Sequence, residues 1–178
     1  SADRPIAMFD SGFGGLTVAR ALIDLAPHED LVYFGDTGRY PYGPRPHDEV
    51  RGYAHQITDW MIEAHDPKLV VVACNTATAV ALDELQARVE VPVIGVVEPG
   101  LRSVLAVTET DRVGVIGTVG TIASGAYQRA AEAVAQAFTE AGLAEVRSEP
   151  FTWDAWQPGT ATLTVGDEVY DCLLYTSD

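Results

Sequence analysis

The chain has 178 residues, of which 47% are hydrophobic, and this composition is typical of a globular protein rather than a disordered one. The formal net charge of −15 disfavours nucleic-acid and membrane-surface partners, because a negative field repels phosphate groups and anionic lipid headgroups. Two cysteines cannot form a dense disulfide framework, and no apolar run is long enough to span a membrane. We therefore expect a cytoplasmic protein without nucleic-acid or membrane partners.

Short apolar runs alternate with segments of helical periodicity along most of the chain. Strands are predicted at residues 5–9, 31–34, 68–73, 91–97 and 112–117. Helices are predicted at residues 16–26, 47–65, 74–89 and 122–141, with a further helix opened by Pro99. Apolar strands that alternate with helices indicate an α/β fold, with a parallel sheet covered by helices on both faces. Ligands in such folds bind beyond the carboxyl ends of the strands, so functional residues are expected in DSGFGG, PYG, CNTA and GTVGT.

Cys74 directly follows the third predicted strand and precedes a predicted helix. The free N–H groups and the positive dipole at a helix N-terminus favour a thiolate, which points to a catalytic role. Free cysteines are also often buried as small hydrophobic residues, so its position alone leaves a packing role open. Asn75 and Thr76 are polar residues at the same strand end, where they could contact a ligand or cap the helix.

Asp10 and Ser11 follow the first strand and open a glycine-rich turn. Asp10 could act as an acid or base or orient a substrate ammonium group, and Ser11 could donate to a carboxylate. Alternatively, the turn is purely structural and Asp10 caps it. The glycine spacing matches neither the dinucleotide-binding pattern nor a P-loop.

Two further loops carry candidate ligand contacts. Tyr42 and Gly43 lie in a loop rich in turn-forming residues, which could be a plain connection or could offer backbone N–H groups to a ligand. Thr118 and Thr121 follow the fifth predicted strand, where their hydroxyl groups could cap a helix or bind an anion.

Neither a metal nor an organic cofactor is expected. The spacing of the histidines does not suggest a metal site: His28, His47, His55 and His65. Lys68, the single lysine, lies at the start of the third strand, away from the expected ligand end. A pyridoxal phosphate enzyme needs a Schiff-base lysine in its site, so this placement argues against that cofactor.

Together, the motifs DSGFGG, GDTGRYPYG, VVVACNTATA and VGVIGT resemble the glutamate racemase family over residues 5 to about 142. The resemblance implies cofactor-independent interconversion of L- and D-glutamate, with D-glutamate supplied to peptidoglycan, in a protein that can form a homodimer. It implies two catalytic thiols on opposite faces of the substrate, one of them Cys74, with Asp10 assisting proton transfer. The implied substrate-binding residues are Asp10, Ser11, Tyr42, Gly43, Asn75, Thr76, Thr118 and Thr121.

The sequence departs from the family pattern in one important respect. The family's second cysteine lies in a Gly-Cys-Thr-His-Tyr-Pro motif, which is absent here, and Cys172 has no adjacent histidine. We therefore expect a piece of a longer racemase that is inactive by itself. The alternatives are a non-catalytic fragment that binds an amino acid, and a relative of the aspartate racemases.

The resemblance also implies a domain organisation, namely a parallel-sheet α/β sandwich of two similar domains. We expect the first domain at residues 1–97 and an incomplete second domain at 98–171. Residues 172–178 are expected to be a non-native tail, because CLLYTSD resembles the translated end of a sequencing adaptor. Within the last part of the chain, GDEVYD at residues 166–171 is predicted to start a helix.

Overall fold

In the computed structural model of the chain, which describes residues 3–107, 117–140, 161–165 and 168–172, four apolar segments form a parallel sheet. The strands are β1 (Ile6–Asp10), β2 (Leu31–Gly35), β3 (Leu69–Val72) and β4 (Val93–Gly95), and their order in the sheet is β2-β1-β3-β4. In register, Phe9 of β1 pairs with Phe34 of β2 and with Val72 of β3. The predicted α/β class with a parallel sheet is confirmed.

Six helices accompany the sheet in the described part of the chain. They are α1 (Leu16–Leu25), α2 (His47–His65), α3 (Asn75–Arg88), α4 (Val97–Val107), α5 (Val119–Ala123) and α6 (Ala126–Glu140). Successive side chains of a strand point to opposite faces, so β1 contributes to two cores. Phe9 packs with Met61 of α2 and Leu85 of α3, whereas Met8 lies in a second cluster with Ala19 of α1. The prediction of helices on both faces is therefore confirmed.

The region after β4 differs from the prediction in two places. The expected single helix at 122–141 is wrong, because α5 ends at Ala123 and α6 begins only at Ala126. Gly125 adopts φ +67°, a left-handed conformation that cannot continue a right-handed helix. Pro99 does not open α4, which begins at Val97. It still lies in the first turn, where its missing N–H has no intrahelical partner. The predicted strand at 112–117 lies outside the described residues, apart from Gly117.

The structure divides into two units, Ser1–Ser148 and Glu149–Asp178. The second unit contains an antiparallel hairpin of β5 (Ala161–Val165) and β6 (Glu168–Cys172). The predicted helix start in GDEVYD is therefore wrong, because Glu168–Cys172 forms its backbone hydrogen bonds with a partner strand. The domain boundary after residue 97 and the non-native tail remain predictions. None of the helices in the described segments is long and apolar enough to cross a membrane.

Candidate active site

The loops that follow β1, β2 and β3 meet at the carboxyl edge of the sheet. Asp10 is the last residue of β1, and its carbonyl accepts a hydrogen bond from the Asp36 N–H at 2.9 Å. On the other side of β1, the Ala73 N–H donates to the Phe9 carbonyl at 2.8 Å. These bonds bring Asp10, Asp36 and Cys74 to neighbouring positions, as the parallel arrangement predicts.

Cys74 links the end of β3 to the start of α3. It is the N-cap residue of α3, and its Sγ atom accepts a hydrogen bond from the Ala77 N–H at 3.5 Å. The thiol also donates to the Oγ atom of Ser11 at 3.6 Å. Cys74 is only 5% exposed. The fold thus joins a thiol and a hydroxyl that are 63 residues apart in the sequence, on two of the predicted loops.

The net environment of Cys74 favours the protonated thiol. Burial is the largest influence and raises its pKa, and the negative charge of Asp10 raises it further. The Ala77 N–H and, once the thiol has lost its proton, the N–H and hydroxyl of Ser11 lower the pKa, because they donate hydrogen bonds to the thiolate. The N–H groups at the start of α3 therefore favour the thiolate, as expected, but burial outweighs them.

Asp10 caps the turn that follows β1. Its buried Oδ2 atom accepts hydrogen bonds from the N–H groups of Gly12 at 3.1 Å and Gly15 at 3.0 Å. A Cβ atom on Gly15 would lie 2.7 Å from the Asp10 Cβ, so the turn closes around the carboxylate only with glycine here. Asp10 therefore caps the turn after β1, which was one of the two roles expected for it. Its role in proton transfer remains a prediction.

Tyr33 supports the same turn from β2. Its hydroxyl donates to the Gly12 carbonyl at 3.2 Å. Burial, followed by the charges of Asp10 and Cys74, raises the pKa of Tyr33 to about 12. The phenol therefore remains a protonated donor at neutral pH.

Three threonine hydroxyls meet beside the start of α3 and form what we call the threonine cluster. The Oγ1 atom of Thr76 lies 3.3 Å from that of Thr118 and 3.1 Å from that of Thr121. The Thr118 and Thr121 hydroxyls are 2.9 Å apart. Thr118 also caps α5 by accepting the Thr121 N–H at 3.4 Å. The structure thus unites three predicted site residues from two distant loops.

The two predicted site residues of the PYG loop lie in different surroundings. Tyr42 is buried in the core, whereas Gly43 lies beside the candidate site. The hydroxyl of buried Tyr42 donates to Asp36, which also forms an ion pair with the Arg39 Nε atom at 2.6 Å. Burial and the bond to Asp36 raise the pKa of Tyr42. The Tyr42 side chain therefore packs and bonds in the interior of the protein, and only its backbone groups could contact a ligand. Gly43 instead packs against Thr118 of the threonine cluster.

The chain matches the family model described as Asp/Glu/Hydantoin racemase over residues 16–160. The chain belongs to this racemase family. It is 54% identical over 125 residues to the glutamate racemase of Corynebacterium kroppenstedtii, an alignment that covers 70% of the chain and 43% of that relative. The resemblance inferred from the loop motifs is therefore confirmed.

Solved structures of glutamate racemases share the fold. The RacE1 isoform from Bacillus anthracis matches with a TM-score of 0.73 and 43% identity, over 76% of this chain and 51% of that one. The enzyme from Francisella tularensis, in complex with D-glutamate, matches with a TM-score of 0.66 and 39% identity, over 72% of this chain and 48% of that one. The chain spans about half the length of the curated relatives it matches.

Sequence reasoning missed several residues that shape this candidate site. Asp36 directly follows β2, so the strand-end rule that identified Cys74 could also have identified it. Tyr127 of α6 donates its hydroxyl to the Asn75 Oδ1 atom at 2.7 Å, a contact without any local sequence signal. His47 likewise bonds through Nε2 to the Gly120 carbonyl at 3.0 Å, joining α2 to α5.

The structure also shows where the residues considered for cofactors lie. Lys68 precedes β3, at the opposite end of that strand from Cys74, and forms an ion pair with Glu29. In the described segments, no group of three or more His, Cys, Asp or Glu side chains could hold a metal ion.

Proposed function

We propose that the full-length protein is a glutamate racemase that interconverts L- and D-glutamate without a cofactor and supplies D-glutamate for peptidoglycan. The observation that carries this proposal is the contact between the Cys74 thiol and the Ser11 hydroxyl at the carboxyl edge of the sheet. The named activity of the similar proteins and the D-glutamate complex of one of them support the choice of substrate.

In this proposal, Cys74 exchanges a proton with the α-carbon of glutamate. The α-proton of an amino acid is very weakly acidic, so its removal needs a strong base close to it. Burial and the Asp10 charge raise the pKa of Cys74, and a thiolate formed from such a thiol is a stronger base. In this scheme the Cys74 thiol first passes its proton to Asp10, whose charge already acts on it. The resulting thiolate takes the α-proton and becomes a thiol again, and the electron pair of the broken C–H bond passes to the substrate carboxylate.

Hydrogen-bond donors stabilise the charge that develops on that carboxylate. Ser11, Asn75 and the threonine cluster offer hydroxyl and amide groups on the loops around Cys74. A second thiol then returns a proton on the opposite face of the α-carbon, and the reverse reaction exchanges the roles of the two thiols. We expect that second thiol in the part of the relatives' length that this chain does not span.

The test is racemisation and α-proton exchange by the full-length protein in D₂O, followed by NMR for L- and D-glutamate separately. Cys74→Ala should abolish both reactions with both enantiomers, whereas Gly52→Ala, in α2 at a position where an added Cβ meets no atom within 4 Å, should leave them unchanged. Undiminished turnover by the Cys74→Ala variant would refute the proposal.

Two further measurements separate the alternatives. Faster exchange with aspartate than with glutamate would indicate a relative of the aspartate racemases. Binding of glutamate without exchange by the full-length protein would indicate a non-catalytic binding protein.

The 178-residue chain by itself should not racemise glutamate, because it lacks the Gly-Cys-Thr-His motif. The cytoplasmic location and the homodimer also remain predictions.

A further inference from the structure

The corner formed by α5 and α6 holds two successive residues of the first turn of α3. Thr76 is held by the hydroxyls of Thr118 and Thr121. Asn75, the residue directly after Cys74, is held by the Tyr127 hydroxyl at 2.7 Å. The two residues that directly follow Cys74 are therefore both held by this corner.

The geometry of the Tyr127 contact determines how the Asn75 amide is oriented. The phenol donates to Oδ1, so the carbonyl end of the amide faces Tyr127 and the NH₂ end faces away from it. Asn75 is exposed at the same end of the sheet as Cys74, and its two N–H donors are available to a ligand there. A phenol bonded to the NH₂ end would instead have left the carbonyl oxygen as the group presented to the site.

The break at Gly125 places Tyr127 for this contact. The Ser124 hydroxyl donates to the Thr121 carbonyl at 2.7 Å and accepts the Ala126 N–H at 3.1 Å, which ties the end of α5 to the start of α6. Tyr127 is half-buried, and burial raises its pKa, so its hydroxyl stays protonated in the neutral range. It therefore acts on Asn75 as a neutral hydrogen-bond donor and not as a charged group.

We propose that Tyr127 is a positioning residue that turns the NH₂ group of Asn75 towards a carboxylate of the substrate. Tyr127 does not need to touch the substrate, because it acts through the orientation of the amide. The amide then favours an anionic group at this point and disfavours an ammonium group. This inference rests on the proposed racemase function and adds a residue that sets which end of the substrate lies beside α3.

The test compares steady-state kinetics of the full-length protein and four variants with glutamate. Tyr127→Phe removes only the hydroxyl, so KM should rise about three- to tenfold while kcat stays within about twofold. Asn75→Ala should also raise KM, and Tyr127→Phe should add nothing in that background, because the amide it positions is gone. Asn75→Asp should raise KM more than Asn75→Ala, because a carboxylate repels the substrate carboxylate and cannot donate.

The outcomes separate this inference from the function on which it rests. An equal rise in KM on adding Tyr127→Phe to the wild type and to Asn75→Ala would overturn the inference, as would tight substrate binding by Asn75→Asp. If Tyr127→Phe fails to fold, the comparison of Asn75→Asp with Asn75→Ala still decides the orientation of the amide. Full activity of Cys74→Ala would instead overturn the proposed racemase function.

Discussion

Gly43 and Thr118 approach so closely that a Cβ atom on Gly43 would lie 2.5 Å from the Thr118 Cγ2 atom and 2.8 Å from its Cβ. Thr118 in turn shares a hydroxyl contact of 3.3 Å with Thr76 on α3. Gly43 has no room for a side chain, because the PYG loop packs there against Thr118 at the start of α5. Thr118 contacts α3, the helix that Cys74 caps. Any residue larger than glycine at position 43 must push the loop and Thr118 apart.

The first prediction follows from this approach. Gly43→Ala should lower the free energy of unfolding by about 1–3 kcal/mol, the usual cost of inserting atoms into a packed site. Gly38→Ala is the matched control in the same loop region, because no atom lies within 4 Å of a Cβ built there. Its effect should stay within about 0.5 kcal/mol. Urea denaturation of both variants measures the difference, and equal stabilities would contradict the role given to Gly43.

The arrangement of the site at the end of the sheet was largely predictable from the sequence. Alternating apolar strands and helices indicated a parallel sheet, and parallel strands bring their carboxyl ends to one edge. That reasoning placed Asp10, Ser11 and Cys74 on neighbouring loops, and the structure joins Cys74 to Ser11 directly. Such predictions succeed because strand direction, rather than side-chain detail, decides which loops meet.

Other features depend on tertiary contacts or on weak local signals. A glycine inside a helical pattern costs only about 1 kcal/mol relative to alanine, so Gly125 did not reveal the break between α5 and α6. The hairpin of β5 and β6 does have a sequence signal, because the pair Gly166–Asp167 lies between two alternating runs, and this signal outweighs the helix start predicted for GDEVYD. The pKa of Cys74 could not be predicted, because its burial depends on the packing of several distant segments.

The second prediction concerns Gly52, which lies inside α2. A Cβ atom there would meet no atom within 4 Å, so alanine adds no clash and reduces the conformational entropy of the unfolded chain. Gly52→Ala should therefore raise the free energy of unfolding by about 0.5–1 kcal/mol. The same substitution at Gly15, where the new Cβ would lie 2.9 Å from the Ala73 Cβ, should have the opposite sign. Thermal or urea denaturation of both variants provides the check.

The third prediction concerns the contact between Ser11 and Cys74. The Ser11 hydroxyl lowers the pKa of the thiol, so Ser11→Ala should raise that pKa. The pH at which iodoacetamide alkylates Cys74 at half its maximal rate should consequently shift upwards. In the 178-residue chain, a Cys172→Ser background removes the other thiol. Thr17→Ala, which removes an exposed hydroxyl on the first turn of α1, serves as a control without this contact. An unchanged or lowered midpoint in Ser11→Ala would show that the hydroxyl does not stabilise the thiolate.

The fourth prediction is a dependence of stability on alkaline pH that originates in Cys74. Burial raises the pKa of the thiol in the folded state, so the unfolded chain loses this proton at a lower pH than the folded protein does. The contribution of the buried thiol to the free energy of unfolding is fully present below the ordinary thiol pKa of about 8.5. It is lost as the pH rises through the pKa of Cys74 in the folded protein. Urea denaturation at pH values below and above that range measures it.

Cys74→Ala removes the titrating group, so its free energy of unfolding should fall less steeply over this interval than that of the wild type. The loss of a packed side chain lowers stability at every pH and does not change the slope, which separates the two effects of the substitution. Tyr33 also has a raised pKa in the folded state, but its contribution to the slope begins only above the ordinary tyrosine pKa of about 10, so the slopes are compared between about pH 8 and 10. Parallel curves of the free energy of unfolding against pH for the wild type and Cys74→Ala would mean that the thiol is not buried in its neutral form. The raised pKa that makes the Cys74 thiolate a strong base would then be absent.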